Sequence, residues 1–134
     1  MIISAQDLTD RTNIIRKLCE HWPELTREDF RNFLTEDCVY LNVPMPELKC
    51  IGPDQTYKTL SSLMEKWRAV EFALKHIQGD GNAFLVERSE TFERRSGDGP
   101  VVTLQSMGVF EFRDGKVCQW RDYFDPREAQ PLAG

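Results

Sequence analysis

The sequence predicts an α+β fold in which a curved, mostly antiparallel sheet wraps over about three helices from the N-terminal half and encloses a pocket. Three observations predict it. Apolar residues recur at helical spacing through much of the chain up to Trp67, alternation of period two runs through most of residues 69–125, and Gly/Asp-rich turn signals separate the alternating runs. With 134 residues, 40% of them hydrophobic and 29% charged, the chain is sized for one domain spanning 1–134 around one core.

The elements follow in order. Leu8, Ile15, Leu18, Cys19 and Trp22 form one apolar stripe on a helix over 7–22, which Pro23 ends. Thr26 and Asp29 have the spacing of a capping pair, and Phe30, Phe33 and Leu34 give a second, shorter helix its apolar face, so the two read as a helical hairpin. Residues 38–43 favour a strand by their β-branched and aromatic content, and Pro44 and Pro46 force an irregular stretch after it. Pro53 suits the first turn of a third helix, with Tyr57, Leu60, Met64 and Trp67 on one face until about Lys66 or Trp67. Strands are expected near 69–78, 83–95, 101–113 and 116–125, a meander turned at Gly79–Asn82, Ser96–Gly99 and Asp114-Gly115 and joined by the earlier strand.

Composition excludes several function classes. The net charge is −5 and Lys and Arg are scattered among acids, which argues against nucleic acid or an anionic membrane as partner. The start, MIISAQDLTD, lacks the pattern of a signal peptide, and no run approaches the roughly 20 apolar residues that span a bilayer, so a cytoplasmic protein is expected. Cys19, Cys38, Cys50 and Cys118 are widely spaced, with only His21 and His76 to join them, so they are read as reduced, mostly buried thiols and no metal is expected.

The chemistry is expected where charges interrupt apolar rows. In the run 83–95 the even positions share one face, Phe84, Val86, Arg88, Glu90 and Phe92, against a more polar odd face. Removing a lone charge from water costs several kcal/mol, so inward Arg88 needs acidic partners. The even face of 116–125, Cys118, Trp120, Asp122 and Phe124, offers one. Tyr40 and Asn42 share a face of the early strand and are suited to holding a water. Two carboxylates around one Arg can be driven apart in pKa, one kept as base and the other as acid, without a metal; a purely structural ion cluster is the alternative. Trp67, Phe72, Val86, Trp120 and Phe124 are the candidates for the substrate-facing wall, although the pattern reads several of them equally well as core. His76 falls on the face of Val70, Phe72 and Leu74, where it reads as a packed or rim histidine, outside the catalytic set. Arg127–Gly134 either closes the cavity mouth or frays.

The C-terminal run Gly108–Phe112, then Asp114–Val117 and Trp120–Asp125, resembles the end of the limonene-1,2-epoxide hydrolase family; Tyr40-Leu41-Asn42 and Glu87–Glu90 extend the likeness from about residue 38 onward. The resemblance implies a cone-shaped NTF2-like fold, no cofactor, an apolar small-molecule substrate and a homodimer packed through the face of Arg121, Tyr123 and Asp125. It also implies roles: Asp122 as the base that takes a proton from water held with Tyr40 and Asn42, Arg88 as the bridge between carboxylates, and Glu90 in the place of the acid. The family carries Asp there, so Glu90 departs from the pattern by one methylene. The implied reaction is one-step, acid-assisted attack of water on an epoxide, giving a vicinal diol. Isomerase, cyclase or lyase chemistry in the same acid/base pocket, as elsewhere in the NTF2-like and SnoaL-like superfamily, is the alternative, and a noncatalytic binding or interaction module is the second.

Overall fold

The computed structural model describes residues 3–133; Met1, Ile2 and Gly134, the extremities of the two terminal stretches considered above, lie outside the described residues. Helix α1 (Ala5–Glu20) begins where the Ser4 side chain accepts from the Asp7 amide, two residues earlier than its apolar stripe indicates. Ile15, Leu18 and Cys19 are buried, whereas Trp22 leaves the helix and sits in a short 3-10 turn, Trp22–Glu24, opened by Pro23. Helix α2 (Arg27–Phe33) starts with a complete capping box: Thr26 accepts from the Asp29 amide and the Asp29 carboxylate accepts from the Thr26 amide.

Leu34 does not belong to α2. It opens strand β1 (Leu34–Asn42), four residues ahead of the expected start, and is buried there. A short strand β2 (Cys50–Ile51) precedes α3 (Pro53–Leu63), which stops earlier than its apolar spacing suggests. Trp67 instead begins β3 (Trp67–Gly79), buried with the Arg94 guanidinium 4.4 Å from its ring centroid. Strands β4 (Ala83–Arg94), β5 (Val102–Arg113) and β6 (Lys116–Phe124) complete the meander, and α4 (Pro126–Ala129) follows. Asp114 and Gly115 both adopt positive φ, 53° and 81°, the geometry that suits a two-residue hairpin turn.

The six strands form one curved sheet in the order β2-β1-β6-β5-β4-β3. All neighbours are antiparallel except β1 and β6, which run parallel. The helices cover one face, and the core lies between α1 and the inward side chains of the central strands, among them Phe84, Phe110 and Val117. No described helix is long and apolar enough to cross a membrane.

Alternation holds along β4, where Phe84, Val86, Arg88, Glu90 and Phe92 are all buried. It breaks in the neighbouring strands at bulges. In β3 the register shifts between Ala69 and Glu71 and again between Leu74 and His76, so each extra residue reverses which side of the strand faces in. Phe72 and Leu74 remain inward, but His76 is exposed and pairs with Glu87 at 2.8 Å, which removes it from the inner face expected above. A further irregularity between Glu111 and Phe112 buries Val117 and leaves Cys118 half-buried, outside the inward row of Trp120 and Asp122.

Candidate active site

Two of the site's acids reach one place because three adjacent strands cooperate. Arg88 and Glu90 project inward from β4 and Asp122 from β6, with β5 between them. Neighbouring strands lie about 4.8 Å apart, so Arg88 must cross the width of β5 to meet Asp122. Gly108 provides the crossing: it pairs with Val86 on one side and Asp122 on the other, and a Cβ there would lie 2.8 Å from Arg88 Nη1 and 3.0 Å from Asp122 Oδ1. Arg88 Nη2 then donates to Asp122 Oδ2 at 2.6 Å, with both side chains about 95% buried. The indole of Trp120 donates to the other oxygen, Oδ1, at 2.9 Å.

Glu90 is held differently. Its Oε2 accepts from the indole N–H of Trp22 at 2.6 Å, and this is its hydrogen bond among the described residues. Arg88 therefore bonds one carboxylate and acts on the other only through its charge. The resemblance implies that Arg88 bridges both carboxylates; among the described residues it does not hydrogen-bond both, and Glu90 is engaged instead by Trp22 on the helical side.

The parallel pairing of β1 with β6 sets Tyr40 beside Trp120 and Asn42 beside Asp122, and the Val43 amide donates to the Asp122 carbonyl at 2.9 Å. The Tyr40 ring lies 4.5 Å, centroid to centroid, from Trp120. Burial pushes the Tyr40 phenol well above its ordinary value, and the Asp122 and Glu90 charges add to this, so it is a neutral hydroxyl able to donate. Burial also raises the Glu90 carboxyl, with Asp122 adding to the rise and Arg88 and the Trp22 N–H opposing it. Arg88 is disfavoured by burial, but Asp122 leads the charges that more than offset this and keep it cationic. Cys19 lies close enough to feel all three, and burial pushes its thiol up to about 12, which leaves it a neutral packing group.

These side chains line a cavity of about 660 Å³. Tyr40, Asn42, Arg88, Glu90 and Asp122 all face it, with Trp120 and Phe124 among its apolar walls. Trp67, Phe72 and Val86, the other residues assigned to that wall by pattern, are placed elsewhere. Trp67 is buried under Arg94, Phe72 stacks on Trp22 with centroids 5.6 Å apart, and Val86 is fully buried in the core. The C-terminal segment forms part of the wall, through residues such as Ala129, Gln130 and Leu132. Arg88 Nε and Nη1 and the Ser106 hydroxyl are buried without partners among the described residues, so the floor keeps donors in reserve. No group of three or more His, Cys, Asp or Glu residues is arranged to hold a metal among the described residues.

Sequence reasoning missed three participants. Helical spacing marks Trp22 only as the end of a stripe, alternation marks Trp120 only as wall or core although its N–H orients Asp122, and Gly108 enters only through the run that resembles the family. The one available signal was that a buried indole N–H needs an acceptor.

Residues 12–129 match the family described as the limonene-1,2-epoxide hydrolase catalytic domain. This chain belongs to that family. A curated relative, epoxide hydrolase EphG of Mycobacterium tuberculosis, is 36% identical over 105 residues; the match takes in 75% of this chain and 66% of the relative, just under two thirds of its length. The solved structure of an M. tuberculosis epoxide hydrolase of the limonene-epoxide-hydrolase-like type superposes with a TM-score of 0.73 at 26% identity, covering 92% of this chain and 89% of that one. A candidate SnoaL-like polyketide cyclase from Jannaschia sp. CCS1 superposes at 0.78 with 16% identity, covering 97% and 95%, and shares the fold.

Proposed function

We propose that this limonene-1,2-epoxide-hydrolase family member hydrolyses an epoxide on a largely apolar, cyclic small molecule, with no cofactor taking part. The observation that carries the reading is a pair of buried carboxyl groups around one cationic Arg, Asp122 bonded to it and Glu90 within reach of its charge, opening on an apolar cavity. Asp122 is the base. A water held by Tyr40, Asn42 and Asp122 loses a proton to the Asp122 carboxylate as its oxygen bonds to one epoxide carbon. The C–O bond of that same carbon breaks, and Glu90 gives its proton to the leaving epoxide oxygen, which stays on the neighbouring carbon, so the product is a vicinal diol and the two carboxyls have exchanged protonation states. Arg88 stays cationic and stabilises Asp122 before the transfer. Trp120 and Phe124 form the apolar wall against the substrate. The 66% span of the curated relative leaves its activity a guide to this chain, and the acid/base pair supplies the independent support.

The test is turnover of a panel of cyclic and aryl epoxides in water enriched in heavy oxygen, with mass detection. Labelled diol that disappears in Asp122→Asn supports the reading. Product isomeric with its substrate and free of label would instead support proton-transfer chemistry, with Asp122 or Glu90 as base, a reading favoured by the exchange of the family's acid for a longer one. We further propose a homodimer through the outer sheet face, where exposed Met107 and Tyr123 pair across β5 and β6 and Leu85 adjoins them.

A further inference from the structure

We propose that Trp22 is the positioning residue of the acid, its indole fixing which oxygen of Glu90 carries the proton. The inference rests on the epoxide-hydrolase reading for its kinetic consequence, but the positioning itself is a property of the resting protein.

An indole N–H donates and never accepts. The Glu90 oxygen 2.6 Å from Trp22 Nε1 must therefore be the acceptor, and in a protonated carboxyl the carbonyl oxygen is the stronger acceptor of the two. The proton is thereby assigned to Oε1. The indole itself has little freedom: it is 5% exposed, stacks on Phe72 at 5.6 Å and lies 6.3 Å from Phe92. Its backbone is tied into the turn between α1 and α2, where the Leu25 amide donates to the Trp22 carbonyl at 3.2 Å. The acid on β4 is thus oriented from the helical layer, not from its own sheet. An Asp at this position, one methylene shorter, would fall short of the indole, so the length of Glu90 and the presence of Trp22 form a matched pair.

The groups that face Glu90 are few. Arg88 acts from its own strand, Asp122 from β6, Tyr40 from β1 and Cys19 from α1. Tyr40 and Cys19 are neutral across the working range, and Arg88 and Asp122 are bonded to each other. The Trp22 N–H favours the Glu90 anion, so removing it should move the titration of Glu90 upward and leave the proton unaimed.

The first test needs no substrate. Infrared titration of the carboxyl C=O band, assigned with Glu90→Gln, is compared between the parent protein and Trp22→Phe, which keeps an aromatic ring and loses the N–H. The expected result is a C=O band at higher frequency and a midpoint at higher pH in Trp22→Phe; an unchanged band and midpoint would overturn the proposal. Should Trp22→Phe fold poorly, the Trp22 indole nitrogen resonance in the unmutated protein is followed against pH: it should track the Glu90 titration, and indifference to it overturns the proposal equally. The second test is kinetic. Trp22→Phe should lower kcat roughly tenfold and shift the alkaline limb of kcat upward, while in a Glu90→Asp background the same change should cost less than about twofold. An equal loss in both backgrounds would show a merely structural role. Absence of any epoxide turnover in the parent protein would sink the hydrolase reading alone, since the infrared and resonance results stand without it.

Discussion

Gly108 has no side chain, and the Arg88–Asp122 pair depends on that space. Adding a methyl puts a carbon 2.8 Å from Arg88 Nη1, so Gly108→Ala should displace the guanidinium and destabilise the fold by about 1–3 kcal/mol, read as a lower urea midpoint. Turnover should fall with it. Asp122→Asn keeps the shape but cannot take up a proton at neutral pH; it should cut kcat by about a thousandfold or more, and leaving Arg88 buried without its anion should cost about 3 kcal/mol of stability. Circular dichroism of the folded variant separates the two effects. The raised Glu90 carboxyl gives a pH dependence of definite sign. Its favourable contribution to stability is fully present below the unfolded carboxylate value of 4.5 and is lost as pH rises through the raised folded value. As the proposed acid, Glu90 would have to be protonated to act, so kcat should decline over the same upper range, and Glu90→Gln should remove that limb together with most of the activity.

At the scale of elements, the information lies in parity and in where parity fails. The even face of β4 was legible because Arg88 and Glu90 stand in a row of buried apolar residues, and charges in such a row demand partners. The β5–β6 turn was legible because Asp-Gly accommodates two positive φ angles. The bulges in β3 were not: alternation assumes one residue per partner, and an inserted residue leaves no local mark on composition. The end of α3 was missed for a related reason, since Trp67 continues the helical spacing of Tyr57, Leu60 and Met64 but gains its burial at the head of a strand. Deleting Lys75 tests the parity argument. It should remove one bulge and leave His76 opposite Glu87 on the outside and Ile77 opposite buried Val86 on the inside, so urea unfolding should shift by no more than about 1 kcal/mol; a larger loss would refute the argument.

For the whole molecule, the cavity is built by parts remote in sequence: β1, the central strands, the turn after α1, α3 and the C-terminal segment all contribute walls. The segment from Pro126 to Ala133 thus walls the cavity within the described residues, the closing role left open by sequence. The outer face has a different character. Leu85, Met107 and Tyr123 are each more than 40% exposed on adjacent strands, a patch that a second copy would cover. Sedimentation velocity should therefore show a dimer, and Met107→Lys with Tyr123→Lys should yield a folded monomer; a parent protein that sediments as a monomer at high micromolar concentration would refute the dimer.

The sequence by itself determined the α+β class, the order of its main helices and strands, and the side of β4 on which Arg88 and Glu90 lie, because periodicity and the cost of burying charge act locally along the chain. Only the tertiary structure decided who stands opposite whom. The parallel seating of β1 against β6 brings Asn42 beside Asp122, the gap at Gly108 lets Arg88 through, and the turn after α1 delivers Trp22 to Glu90 across 68 positions of sequence. Periodicity records which face a side chain occupies, whereas its partner is set by chain closure and by the packing of one layer on the other.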